Sequence, residues 1–438
     1  MWLDAKSRNQ LLLTLGLAIL VALIIPRVLF FVTLLGHNIP SLLTTDKTAD
    51  YLKGWATALL FMALIVVAPI DSEDKKNLKL VWLAKIVVTL VFMLFYEANY
   101  GLDAYSYFER SQDRFPDFSE VGFTNGTANM IAFTWIFEHY VISTASFHAQ
   151  KVICAFIGCM GIFLFYRALR RLRPEIPHRA FPGLALFPSV LFWSSTLGKD
   201  AMIVFGISLT LYGMLRTLAG RNPLFLLISV FGLVLTAMIR IWLAPILVLS
   251  FCVVAVVSSR NIVFRLALLA AVLGGATYAV PRIGKQLSVE DADQLAARAG
   301  AISRSWQRGG SAGDVPIIRT PTDALKFLPV GMFTALFRPL PGEVMNPFGM
   351  LAGFENLVLL YLVWHAARAW RRETWKDELV AWFFAYVLLW GFIYAFISPQ
   401  NLGAAVRFKV QVLPELLVLL AYVAYFKPRA SQSSTEAQ

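Results

Sequence analysis

A carboxylate, Asp103, follows an apolar run in the segment GLDAYSYF and precedes Tyr105, Tyr107 and Phe108, an aromatic group suited to the headgroup level of a bilayer. Held at the lip of a hydrophobic cavity, such a carboxylate can act as a general base; alternatively it caps a short helix after Gly101. In the segment WSSTLGKDAMIVF, Lys199 and Asp200 stand side by side between two long apolar runs, where charge is costly unless it snorkels, pairs or serves a site. Arg240 falls in a short turn of the same kind, and Arg407, with Lys409, near the outer end of the last apolar run. Both of these late cations either snorkel to the interface or face a ligand. Pro339, Pro341 and Pro347 exclude a regular helix from LFRPLPGEVMNPF and so fix Arg338 and Glu343 in a rigid lead-in. About two turns further on, Glu355 either forms a buried salt bridge, with Arg240 or Arg407 as its expected partner, or belongs to a site.

These charges come from six separated parts of the chain, and the apolar pattern decides whether they meet. With 58% apolar and only 15% charged residues among 438, the chain is a polytopic membrane protein. The fold class expected is therefore all-α. Twelve spans are predicted near 10–35, 54–70, 78–97, 148–166, 181–197, 201–218, 223–239, 241–258, 262–280, 349–367, 378–397 and 408–426. The net charge of +12 then reflects topology, and no nucleic-acid partner is expected. Basic clusters at 167–179, 216–221, 260–265, 368–376 and 427–429 all fall on one side when the amino terminus is cytoplasmic, as the positive-inside rule requires. One integral-membrane domain is expected over 1–426, with a cytoplasmic tail at 427–438. Cys154, Cys159 and Cys252 all lie in apolar runs, so neither a disulfide framework nor a CxxC metal site is expected.

The same alternation places two long loops, 98–147 and 281–348, on the extracytoplasmic face together with Asp103, Lys199, Asp200, Arg240, Arg338, Glu343, Glu355 and Arg407. In the first loop Glu138 and His139 interrupt the run NMIAFTWIFEHYVISTASF, which is expected to form an interfacial helix, with His139 supporting the site. The second loop is rich in arginine, whose planar fork suits phosphate; lipid headgroups and a substrate phosphate both remain open as its partner. Carboxylates beside cations next to a lipid-accessible wall suit attack by a hydroxyl on a sugar carried by a lipid phosphate. One carboxylate, Asp103, Glu343 or Glu355, would take the proton, and Lys199, Arg240, Arg338 and Arg407 would stabilise the departing phosphate, with Asp200 in support.

The loop aspartate, the amphipathic stretch after it and the pattern Pro-x-x-x-x-x-Ser-x-x-x-x-Lys-Asp from Pro188 to Asp200 resemble the integral-membrane glycosyltransferases of the C type. The likeness covers residues 90–215 and extends to bacterial proteins similar to dolichyl-phosphate-mannose transferases. It implies a multi-helix enzyme of the bacterial inner membrane with its active site on the periplasmic side. It also implies a polyprenyl-phosphate-linked sugar donor, a glycan or lipid acceptor, and Asp103 as base. Relatives often carry a paired acidic motif where this chain has Asp103 followed by alanine and tyrosine, and an acidic residue alone where it has Lys199 before Asp200. No organic cofactor is implied, and the requirement for a divalent cation stays open. The rival readings are a polymerase acting on lipid-pyrophosphate-linked repeats and, in another class, a transporter or flippase of lipid-linked glycans. Against transport, no internal repeat is visible and the charges gather at one face.

Overall fold

The computed structural model describes residues 23–34, 46–100, 102–112, 118–123, 125–141, 145–220, 222–258 and 318–425, with isolated positions between 261 and 304. The expected tail at 427–438, the first half of the span 10–35, most of the span 262–280 and, apart from 301 and 304, residues 281–317 of the expected loop 281–348 lie outside the described residues. The described chain is helical throughout, without strands. Its helices are α1 (Leu23–Leu34), α2 (Lys47–Val67), α3 (Ser72–Asn99), α4 (Asp103–Ser111), α5 (Gly126–Ile136) and α6 (Phe147–Leu172). There follow α7 (Ala180–Ala185), α8 (Pro188–Trp193), α9 (Lys199–Gly220), α10 (Phe225–Ile239) and α11 (Leu243–Ser258). The last are α12 (Pro321–Phe337), α13 (Pro347–Ala369), α14 (Glu378–Tyr394), α15 (Leu402–Lys409) and α16 (Leu413–Tyr425).

Five of these, α2, α3, α6, α9 and α13, are long and apolar enough to cross a membrane, and a sixth crossing arises if α15 and α16, bent by 67°, count as one span. Helices α10, α11 and α14 are apolar but shorter. The span expected at 181–197 is not one helix: it divides into α7 and α8, of six residues each, followed by a turn. Pro188 explains the division, since its ring removes the amide that would continue α7 and suits the first position of α8. The expected interfacial helix of 129–147 begins instead at Gly126, capped by the Asn125 side chain on the Ala128 amide, and ends in a π-turn over Phe137–Val141.

The chain forms two compact units, one of residues 1–159 with 194–201 and one of 160–193 with 202–438. In the first, α2 and α3 are joined by the Trp82 indole, which donates to the Ala58 carbonyl at 3.1 Å, and by Tyr51, which donates to the Leu90 carbonyl at 2.7 Å. Leu90 lies in a π-turn over Val88–Phe92, the kind of local widening that marks functional or strained helix segments. Ala104 and Phe108 of α4 pack with Phe147 and Cys154 of α6 and with Leu197 and Ala201, so the WSSTLGKDA turn closes this core.

In the second unit, α9 and α10 approach through small residues. A Cβ added to Gly206 would stand 2.5 Å from the Thr236 hydroxyl, and one added to Gly213 would stand 2.6 Å from the Ser229 amide. Small residues at such seams let two membrane helices come close enough for backbone contact. Gly213→Leu is expected to destabilise the protein by about 1–3 kcal/mol through overpacking, read as a lower thermal midpoint in detergent. Gly220→Ala, in open space, serves as the control and should leave the midpoint unchanged. Elsewhere in this unit, the break between α15 and α16 is satisfied by side chains: Tyr386 donates to the Gln411 carbonyl at 2.8 Å and the Trp390 indole to its side-chain oxygen at 3.2 Å. That is how a broken helix is tolerated among apolar neighbours.

Candidate functional site

Asp103 is the first residue of α4, and the residue before it, Leu102, makes no side-chain cap. It therefore does not cap the helix after Gly101; its charge sits in the first turn, where the helix dipole favours an anion. Its side chain is exposed, while Tyr107, one turn along the same face, is 1% exposed. The Lys199 ammonium lies 5.9 Å from the centre of the Tyr107 ring and donates to the Thr127 hydroxyl at 2.9 Å. Thr127 belongs to the first turn of α5. The structure thus brings together Tyr107, Thr127 and Lys199, all residues of the first unit, with Asp103 one turn before Tyr107 on α4. Asp200, beside Lys199, is buried at 1% exposure.

What holds α4 there was not among the expected site residues. Tyr105 donates to the Glu97 carbonyl at 2.6 Å, and the Glu97 carboxylate accepts from Lys151 of α6 at 2.6 Å, both side chains fully buried. At the far end of α4, Gln112 donates to Glu138 at 2.6 Å, and Gln150 of α6 donates to the same carboxylate at 2.9 Å. Burial pushes the Glu138 carboxyl above its usual range, only partly offset by Gln112, His139 and Gln150. His139 is exposed, stacked on Trp135 at 4.5 Å, with Nδ1 2.8 Å from the Trp135 carbonyl oxygen, so it supports its own helix end. Ser194 and Ser195 of the WSSTLGKD segment receive Lys85: its ammonium donates to their hydroxyls at 2.7 and 3.2 Å and to the Ser194 carbonyl at 3.0 Å. The signal for Lys85 and Lys151 was present, since a lysine inside an apolar span demands a partner, but nothing in the sequence named it.

The other candidates belong to the second unit and converge on α15. Three successive residues, about 100° apart around the helix, reach three neighbours. The Arg407 guanidinium lies 5.7 Å from the Trp193 ring centre, and the Phe408 ring lies 4.4 Å from the Arg240 guanidinium. Lys409 pairs with Glu355 at 3.4 Å and donates to the Asn356 side-chain oxygen. Glu355 also accepts from the Ser189 amide at 2.6 Å. The expected partners of Glu355 were Arg240 or Arg407; the structure gives Lys409. Lys409 accordingly does not snorkel: it is 0% exposed. Arg240, 9% exposed, donates to the Tyr394 hydroxyl at 3.0 Å. Asn356 in turn donates to the Pro339 carbonyl at 2.7 Å, tying α13 to the Arg338–Glu343 segment.

In that segment Arg338 and Glu343 form a bidentate pair, with Arg338 Nε at 2.8 Å from one carboxylate oxygen and 3.0 Å from the other. Gly342, at φ 92°, supplies the left-handed residue that folds Glu343 back. Burial alone would raise the Glu343 carboxyl, but Arg338 and the Leu340 amide outweigh it and hold the group below the usual carboxylate range. The pair is partly exposed, the side chains at 34% and 25%.

Neither a protein-family profile, nor a curated protein, nor a solved structure matches this chain.

Of the candidate carboxylates, Asp103 is exposed at a helix start, Glu343 is neutralised by Arg338, and Glu355 is enclosed with Lys409. Among the described residues, none of Asp103, Asp200, Glu343 and Glu355 joins two further His, Cys, Asp or Glu side chains at metal-binding distance.

Proposed function

We propose that this protein is a membrane-embedded glycosyltransferase of a bacterial inner membrane. It moves a sugar from a polyprenyl-phosphate donor to a glycan or lipid acceptor on the extracytoplasmic face, within a chain of about twelve spans. The observation that supports this most is the exposed Asp103 one turn before Tyr107 on α4, the Tyr107 ring itself lying 5.9 Å from the Lys199 ammonium. In the reaction, the acceptor hydroxyl attacks the anomeric carbon and its proton passes to the Asp103 carboxylate. The bond between that carbon and the phosphate oxygen breaks, and the electron pair leaves on the lipid phosphate. A lysine ammonium near the departing oxygen lowers the barrier by stabilising the charge that develops there. Asp103 acts as base, Lys199 as phosphate partner, and Tyr107 with Thr127 as positioning residues for Lys199.

A second reading, transport of a lipid-linked glycan, draws on the bend between α15 and α16 with the buried Lys409–Glu355 pair beside it. Broken helices carrying charge are a mark of transporters. One experiment separates the readings: the lipid-linked intermediates of cells lacking the protein, compared with cells carrying the parent chain or Asp103→Asn. A truncated glycan in both the deletion and the variant is the result expected for transfer. An unpolymerised repeat would indicate a polymerase. Completed but untranslocated lipid-linked glycan in the deletion strain would favour transport, and an unchanged profile would remove support for glycosyl transfer.

A further inference from the structure

Arg240 ends α10, in the turn that leads to α11, and is 9% exposed. Lys409 holds Glu355, and among the described residues no carboxylate pairs with Arg240. Of its N–H donors only Nη1 has an acceptor there, the Tyr394 hydroxyl at 3.0 Å. The Trp242 indole donates to the same hydroxyl at 3.1 Å. With two donors on the Tyr394 oxygen, the hydroxyl proton is turned elsewhere, and it too has no acceptor among the described residues. The Phe408 ring lies 4.4 Å from the guanidinium and the Trp242 ring 5.7 Å from it. Both attract the cation without matching its N–H edge. The C-terminal end of α10 offsets part of the charge, but its carbonyls accept from none of these side-chain donors.

The donors are held in place. Tyr394 is 0% exposed and stacks on Trp390 at 4.3 Å, and the Trp390 indole is tied to Gln411 at 3.2 Å. Arg240 thus carries an unmatched fork, Nε with Nη2, on a guanidinium fixed to a rigid hydroxyl. Donors enclosed in this way cost free energy until an acceptor meets them. The fork suits two oxygens of one anion side by side, and the Tyr394 proton suits a third. A carboxylate has only two oxygens to offer; a phosphate monoester has three. We infer that Arg240 and Tyr394 form a binding site for a phosphate monoester, two of its oxygens on the fork and a third on the Tyr394 hydroxyl. Ile241 and Trp242, 47% and 36% exposed, give the bound group an apolar border. A lipid headgroup and a soluble phosphate share that chemistry. All these residues belong to the second unit, neither Asp103 nor Lys199 takes part, and the site stands or falls without the transfer reading.

The test uses the purified full-length protein in detergent. Dioleoyl phosphatidate, a lipid phosphate monoester, is titrated against dioleoylglycerol, which has the same tails and no phosphate, and bound lipid is counted by native mass spectrometry. Inorganic phosphate and acetate are added in parallel, and the thermal midpoint is recorded. If the source is a lipid, the parent should hold one phosphatidate about tenfold more tightly than dioleoylglycerol, the scale of hydrogen bonds to a charged group, and inorganic phosphate should not displace it. If the source is a soluble phosphate, inorganic phosphate should raise the midpoint where acetate does not, and should displace any phosphatidate. Either result supports the site provided that Arg240→Gln erases it. Equal affinity for phosphatidate and dioleoylglycerol without a response to inorganic phosphate would overturn the proposal. So would a midpoint raised equally by acetate, or a preference that survives in Arg240→Gln. Should Arg240→Gln fail to fold, Arg240→Lys keeps the charge without the fork, and Tyr394→Phe keeps the stacked ring without the hydroxyl. Each should weaken phosphate binding severalfold, and undiminished binding in both would refute the site.

Discussion

Asp103→Asn is expected to insert, fold and purify like the parent and to lose about 10²–10⁴-fold in transfer, the usual contribution of a positioned general base. The substitution keeps size and shape at an exposed position in the first turn of α4. Loss of the anion from the first turn costs α4 only about 0.3–1 kcal/mol of dipole interaction, too little to unfold a helix whose Tyr107 and Phe108 are each 1% exposed. What asparagine cannot do is accept a proton. The check is transfer from a polyprenyl-phosphate sugar by purified protein, with the thermal midpoint recorded alongside. Lys199→Met belongs in the same series: it should weaken use of the charged donor, whereas Asp103→Asn should leave donor binding intact and slow turnover. An Asp103→Asn variant that is stable and fully active would remove the base assignment, and Glu343, the other partly exposed carboxylate, would be the next to test.

The part of this arrangement that was legible in the sequence is the part written in charge and hydropathy. Charges at the ends of apolar runs mark Asp103, Lys199, Arg240, Arg338 and Arg407 as unusual whatever they touch, because lipid makes each of them costly. The expected windows at 148–166, 201–218 and 349–367 fall inside α6, α9 and α13 for the same reason. Partnership was not legible. Lys409 and Arg407 are two residues apart, hence about 200° apart on α15, and which one meets Glu355 depends on how α15 is rotated. Hydropathy says nothing of that rotation. The same holds for Lys85 and Lys151: each lies within an apolar helix, and their partners Ser194 and Glu97 come from distant segments. The division of 181–197 was missed for another reason. A window that averages hydropathy over a span cannot see that one proline, Pro188, ends one helix and opens the next.

The buried Glu97–Lys151 pair should dominate the stability of the first unit. Glu97 and Lys151 are both fully enclosed and only 2.6 Å apart, so neither charge has water to fall back on. Lys151→Met leaves the Glu97 carboxylate without its counter-ion, and a loss of about 3–5 kcal/mol is expected. The double variant Glu97→Gln with Lys151→Met removes both charges and should recover most of that loss, because two charges taken out together leave no desolvated ion behind. Unfolding in detergent for the parent, both single variants and the double variant closes the cycle, and a coupling near zero would show that water reaches the pair. The double variant also separates stability from function. Tyr105 anchors α4 on the Glu97 carbonyl, not on its side chain. If the pair only supports α4, the neutral double variant should keep Asp103 in place and retain transfer. A stable double variant without activity would instead place the Glu97–Lys151 pair in the reaction itself.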